Sequence, residues 1–319
     1  MDESSPIIHI PGEPVPNPPE KATLLDYARL LRIPNVFTAM ADIFLGFLFT
    51  HQSFQPLPLF LTLLISSSLM YMAGMVLNDV YDLEIDKVER PERPLPSGVI
   101  DVRWAHTLGL TLLFLGLLAG VGVGVAIGSL RPAVVATALA LLVFAYDRFL
   151  KQTPLGPLAM GGCRMLNVLL GMSTLSGEWG LVHVVVAGGL GLYIAGVTWF
   201  AKSEAEESNR AVLSLASVVI LLGIGLLAIF PEFMPPVDRD LLRWRMLLAV
   251  VAFFVGLRLV VAILDPSPGK VQVAIKNCLL SLVVLDAAVA VVVCPLAFGV
   301  AILALLAPAM ILGRWVYST

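Results

Sequence analysis

Asn78, Asp79, Asp82 and Asp86 stand close together directly behind an apolar run. On a helix, Asn78, Asp82 and Asp86 recur every four residues and line one face, while Asp79 lies three residues before Asp82 and seven before Asp86. Carboxylates stacked in this way repel one another unless a cation sits among them. Hard oxygen donors suit Mg²⁺, which commonly takes one or two carboxylates together with a substrate phosphate. The spacing therefore predicts a site for a magnesium diphosphate. The stretch continues through Lys87, Arg90 and Arg93 into the turn-forming "PLPSG", which would fold the cations back over the acids. A solvated helix end at a membrane surface would account for the charge in general but not for the four-residue register.

Composition says what kind of scaffold must hold these groups. Of 319 residues, 58% are hydrophobic and 13% charged, a balance that a water-facing surface does not need and a lipid-facing one does. The chain reads as an all-α integral membrane protein. Its net charge of −3 gives no reason to expect a nucleic-acid partner. Cys163, Cys278 and Cys294 lie in or beside apolar runs without metal-ligand or disulfide spacing and read as packing residues. Apolar runs long enough to cross a bilayer occur near 36–52, 57–77, 104–128, 132–148, 156–176, 181–200, 211–230, 243–264, 274–293 and 297–313. The last two are separated only by Cys294-Pro295, so the sequence leaves nine or ten transmembrane helices. Long continuous runs favour helices over barrel strands.

Residues 1–25, rich in proline and acids and without an apolar core, read as a flexible cytoplasmic tail rather than a cleavable signal, and 26–319 as one transmembrane domain. Lys and Arg gather in alternate loops, around Lys21–Arg32, Lys87–Arg103, Arg148–Lys151, Lys202–Arg210 and Lys270–Lys276. The positive-inside rule places those loops, and with them the N-terminus and the acidic stretch, at the cytoplasmic face, most simply of the inner membrane. Gly116, Gly120, Gly124 and Gly128 at four-residue spacing predict a close helix contact.

"NDVYDLEIDKVERPERPLPSG", Asn78 to Gly98, resembles the first signature of the UbiA-type intramembrane prenyltransferases. "LLRIPNVFTAMADIFLG" (Leu30 to Gly46) and "YDRFLKQTPLGPLAMGGCRMLNVLLG" (Tyr146 to Gly171) are similar to that family's opening helix and to its Tyr…Lys…Thr loop with the helix that follows. The resemblance implies a helical bundle around a lipid-accessible cavity with a cytoplasmic loop cap. It also implies an isoprenoid diphosphate bound through Mg²⁺, ionised, and captured by a small, typically aromatic acceptor inside the membrane. Residue by residue it places Asn78, Asp82 and Asp86 on the metal, with Asp79 either a ligand or a partner that holds one. Arg93 and Lys151 would act on the diphosphate oxygens and Tyr146 beside the developing cation; Arg90, Lys87, Arg164 and Asn167 would bind substrate. Tyr146 is equally readable as an interfacial anchor, and Lys151 as an ordinary positive-inside residue.

The chain departs from the family at its second acidic motif. In "KSEAEESNR", Lys202 to Arg210, Glu204 matches the first aspartate and Ser208 the second. Glu204 and Glu207, three apart, are the candidate ligands there, and a solvated loop is the alternative. Asp42, Arg164, Asn167, Arg258 and Asp286 lie within apolar runs, where ionisable groups are paired or face a cavity. Arg258 and Asp286 are expected to pair. The motifs of CDP-alcohol phosphotransferases are absent. A transporter would place its ligand-making groups near mid-membrane rather than at helix ends, and a family member with altered chemistry remains the other reading.

Overall fold

The computed structural model describes residues 22–205, 209–235 and 240–316, which form helices and short connections. The first helix, α1 (Leu24–Leu30), starts at a capping box in which Thr23 and Asp26 serve each other's backbone amides. Arg32 then turns the chain through the left-handed region (φ 45°) into α2 (Ile33–His51), which opens with Pro34 at a position that needs no N–H. Next come α3 (Leu57–Tyr81), α4 (Leu83–Glu89), α5 (Val102–Ile127), α6 (Leu130–Ala145) and a wide π-type turn over Tyr146–Leu150. The second half comprises α7 (Gly156–Met172), α8 (Leu181–Ala205), α9 (Arg210–Ile229), α10 (Leu241–Leu264), α11 (Pro268–Val293), α12 (Leu296–Ala304) and α13 (Leu306–Val316).

Nine helical segments among the described residues are long and apolar enough to cross a membrane, α12 and α13 counting together as one. The bundle holds a tenth long helix, α7, at 17 residues. The long C-terminal apolar tract divides after Val293, because Pro295 has no amide hydrogen to continue the helix. Outward faces carry bare apolar side chains, as on α10 with Val250, Phe253, Phe254 and Leu257. Such a surface is stable in lipid and costly in water, so the chain is an integral membrane protein.

Close helix approach sets the positions of the polar groups. A Cβ on Gly46 would lie 2.4 Å from the carbonyl oxygen of Val168 and 2.9 Å from Cα of Gly171, so α2 and α7 cross backbone to backbone. The glycine ladder of α5 behaves similarly. Gly116 lies against Met70 and Ser66 of α3, Gly120 and Gly124 lie against α6 and its cap, and Gly128 ends the helix at φ +65°. Ser66 closes the α3–α5 contact by donating to the Gly116 carbonyl at 2.7 Å.

Candidate active site

The last turn of α3 delivers Asn78 and Asp79, and Asp82 is the joint at which α3 ends and α4 begins. The joint stays close to helical: Asp82 N donates to the Asn78 carbonyl at 3.0 Å and Asp86 N to the Asp82 carbonyl at 2.8 Å. The four side chains nevertheless do not form a single stack. Asp79 and Asp86, seven residues apart, share one side and are both buried, whereas Asn78 and Asp82 turn toward the Tyr146–Leu150 turn. Two full helical turns separate Asp79 from Asp86, and that seven-residue register decides which acids meet.

Beyond α4 the loop folds back as its turn residues predict. Arg93 N donates to the Arg90 carbonyl, Ser97 N to the Arg93 carbonyl and Ile100 N to the Pro94 carbonyl, and Gly98 takes φ +76°. Leu95 and Ile100 dock in a small apolar core with Leu30, Val76 and Ala105. Arg93 is thereby set between Asp86 at 2.7 Å and Asp79 at 3.4 Å. Arg32, held in its left-handed turn, meets Asp79 at 2.6 Å from the other side, and Arg90 stands 3.9 Å from Asp86. The sequence counted Arg32 only among the loop cations; its position immediately before Ile33-Pro34 is the signal that the chain turns there.

The π-type turn supplies the other half. Its i→i+5 bond from Lys151 N to the Tyr146 carbonyl (2.9 Å) widens the helix, a feature frequent at functional sites. Lys151 Nζ reaches the Asp82 carboxylate, and Asn78 Nδ2 donates to Asp147 Oδ1 at 3.2 Å. Asp82, Asp147, Arg148, Lys151 and Gln152 line a polar cavity of about 180 Å³. Tyr146 is buried at the start of the turn. Sequence reading passed over Asp147, although its place beside Tyr146 in "YDRFLK" was available as a signal. Lys202, near the end of α8, donates to the carbonyls of Gln152 and Thr153 at 3.2 and 3.0 Å and ties α8 to this turn.

A second polar group lies deeper. Arg164 pairs with Asp42 at 2.7 Å and donates to the carbonyl and hydroxyl oxygens of Thr38. Asn167 donates to the same Asp42 oxygen at 2.7 Å and accepts from Ser67 Oγ at 2.7 Å. Arg164 and Asn167 line a cavity of about 70 Å³, together with Tyr71, Met160 and Cys163. Val143 lines this cavity and Asp147, one turn farther along the chain, lines the polar one, so the two lie end to end along α6. The expected Arg258–Asp286 pair does not form. Arg258 lies on the exposed face of α10, whereas Asp286 is fully buried with neither carboxylate oxygen hydrogen-bonded. The guanidinium whose charge reaches Asp286 is that of Arg164.

Lys87 is not drawn into the cluster: it pairs with Glu84 at 2.7 Å, and both side chains are well exposed. The side chain of Glu204, and Glu207 and Ser208 entirely, lie outside the described residues. Among those residues no three His, Cys, Asp or Glu side chains converge as a ready metal cage, because Arg32, Arg93 and Lys151 take up the carboxylates. The acids that line the polar cavity, Asp82 and Asp147, nonetheless offer hard oxygens beside Arg148 and Lys151, and Asp147 Oδ2 is buried with no hydrogen-bond partner. Both features fit a divalent cation of the magnesium type.

Known proteins carry the same plan. The chain is 28% identical over 244 residues to the digeranylgeranylglyceryl phosphate synthase of Saccharolobus solfataricus, covering 76% of this chain and 82% of that one. It is 36% identical over 126 residues to the synthase of that name from Sulfolobus acidocaldarius, 40% of this chain and 44% of the other. A UbiA homolog from Archaeoglobus fulgidus, solved with GPP and Mg²⁺, shares the fold at a TM-score of 0.61 and 17% identity over 88% of this chain and 99% of its own. A solved digeranylgeranylglyceryl phosphate synthase gives the same TM-score at 21% identity, over 88% and 98% of the two chains. The model of the UbiA prenyltransferase family matches residues 39–272, from within α2 to the start of α11, and so spans both the acidic cluster and the deeper cavity. This chain belongs to the UbiA prenyltransferase family.

Proposed function

We propose that this prenyltransferase moves an isoprenoid group from its diphosphate to a small acceptor inside the membrane, with Asn78, Asp79, Asp82 and Asp86 holding the magnesium diphosphate. Mg²⁺, when bound, supplies positive charge to the departing diphosphate oxygens. Arg93 and Arg90 from one side and Lys151 from the other offer donors to the same oxygens as the allylic C–O bond breaks, an electrostatic contribution of about 2.7–4 kcal/mol per well-placed donor. Tyr146 presents an aromatic ring to the electron-poor carbon. Arg164 and Asn167 line the cavity that receives the acceptor, away from bulk water, so transfer competes well with hydrolysis. Glu204 and Glu207 are the proposed contributors from the second acidic stretch, and Lys87 stays at the rim. Residues 1–25 and the loops over the site face the cytoplasm in this reading, as their Lys and Arg content supports.

The observation that carries the proposal is the meeting of Asp79 and Asp86 with Arg93 beside the pairing of Asp82 with Lys151, the latter lining a polar cavity, with a second, deeper cavity bordered by Val143, one turn before Asp147. A small aromatic acceptor suits the mixed polar and apolar lining. The names of the archaeal relatives favour a second class, a glyceryl phosphate lipid. Assaying the purified protein with labelled prenyl diphosphates against both acceptor classes, with products identified by mass, decides between them. In the same assay Asp82→Ala abolishes magnesium-dependent transfer while the protein keeps its melting temperature. Transfer that survives in Asp82→Ala rejects the assignment of the acidic stretch.

A further inference from the structure

Asp147 is the carboxylate of this cluster that has no cation of its own. Its side chain is 8% exposed, and no Lys or Arg among the described residues forms an ion pair with it. Oδ1 accepts one hydrogen bond, from Asn78 Nδ2 at 3.2 Å. Oδ2 is buried and has none. That oxygen faces Gly74 of α3, where a Cβ would stand 3.7 Å from it, at ordinary van der Waals contact. A buried oxygen left unserved costs about 1–3 kcal/mol, more when charged. In native proteins such a group marks a place that a ligand, ion or water completes.

We infer that Asp147 is a further oxygen donor to the cation site formed by Asn78 and Asp82. This inference rests on the reading of the first acidic stretch as a magnesium diphosphate site and adds a member from another helix. The π-type turn is what makes the placement possible: it widens the backbone where α6 ends and sets Asp147 and Lys151 on the cavity that Asp82 lines. The contact with Asn78 has a second effect. Because Nδ2 of Asn78 is turned toward Asp147, the amide oxygen is the atom Asn78 has left to offer a metal. One added carboxylate also meets a need visible in the sequence, where Ser208 stands in place of an acid in the second stretch.

The test is Mn²⁺ binding to the full chain in detergent, followed by electron paramagnetic resonance with inorganic pyrophosphate as the probe anion. Asp147→Asn, nearly the same shape, is expected to weaken Mn²⁺ binding by about tenfold or more, as is Asp82→Asn, whereas Glu84→Gln on the exposed face of α4 leaves it unchanged. Asp147→Cys gives a readout that a packing role would not move. A thiolate ligand favours soft cations, so this variant is expected to bind Cd²⁺ at least tenfold better relative to Mn²⁺ than the parent chain does. Wild-type Mn²⁺ affinity in Asp147→Asn together with an unshifted Cd²⁺ preference in Asp147→Cys overturns the inference. If Asp82→Asn still weakens binding in that case, only Asp147 leaves the site; if Asp82→Asn is also silent, the parent reading falls with it.

Discussion

Two polar regions share this bundle and are built differently. The deeper one has a single guanidinium, Arg164, hydrogen-bonded in fixed directions to Asp42 and Thr38, with side chains 10% and 0% exposed for the Arg164–Asp42 pair. The outer one sets three cations on long arms, Arg32, Arg93 and Lys151, against Asp79, Asp86 and Asp82, and each cation keeps about a quarter of its side chain in contact with solvent. Breaking a fully buried ion pair strands a charge in a medium that cannot solvate it. In the outer region Asp79 and Asp86 are also buried, but each cation arm is partly in solvent and can turn to a ligand anion while a second cation or the ligand's own metal serves the carboxylate. The inner network therefore fixes how α2, α3 and α7 sit, and the outer one is free to trade its internal pairs for substrate.

The comparison breaks most visibly at Arg164. Arg164→Leu removes the partner of Asp42 and the donors to Thr38, and is expected to destabilise the protein by about 3–5 kcal/mol. Thermal unfolding in detergent measures this. Pairing it with Asp42→Asn, which removes the stranded charge, recovers part of the loss. A single variant that melts like the parent chain would show that the Arg164–Asp42 contact does not hold the helices and would erase the distinction between the regions.

Arg93 is expected to behave in the opposite way. Arg93→Ala leaves Asp79 with Arg32 at 2.6 Å and Asp86 with Arg90 at 3.9 Å, so each buried carboxylate keeps a cation and the fold loses about 1–3 kcal/mol, less than Arg164→Leu costs. Prenyl transfer is expected to fall by about 10²–10³-fold, the usual consequence of removing one donor to a developing negative charge. Steady-state rates at saturating magnesium, set beside the melting temperature, separate the two effects. A large drop in stability with little change in rate would make Arg93 a structural clamp on its loop.

The parts legible in the sequence were those set by local chemistry. Apolar runs gave the helices and the turn residues of "PLPSG" gave the loop that returns Arg93 to the acids, while the tract around Cys294-Pro295, left open between one helix and two, divides at the proline. Pairings between helices were harder to read. Asp42, Arg164, Asn167 and Asp286 were visible as polar residues in apolar runs, but the partner of Arg164 depends on the Gly46–Gly171 crossing, which brings α2 against α7. Arg258 was assigned to Asp286 by neighbouring helices alone; helix phase turns it outward beside Leu257 and Val260. Asp147 was missed because its burial depends on a π-type turn, and a single widened turn leaves no periodic trace in composition.

The smallest expected effect bounds the outer region. Lys87 lies on α4 one residue from Asp86, near enough in sequence to be counted with the substrate-binding cations. Its ammonium pairs with Glu84, an i,i+3 partner, with side chains 49% and 81% exposed. Such a pair contributes about 0.3–0.5 kcal/mol at most and is screened by salt. Lys87→Ala is therefore expected to leave the unfolding free energy within about 0.5 kcal/mol of the parent and transfer within about twofold, with no change in magnesium dependence. A loss approaching that of Arg93→Ala would require the α4 helix to rotate when substrate binds, bringing Lys87 inward. The outer region would then include a moving helix as well as exchangeable side chains, and the inner network would be the only part of the site that keeps its shape.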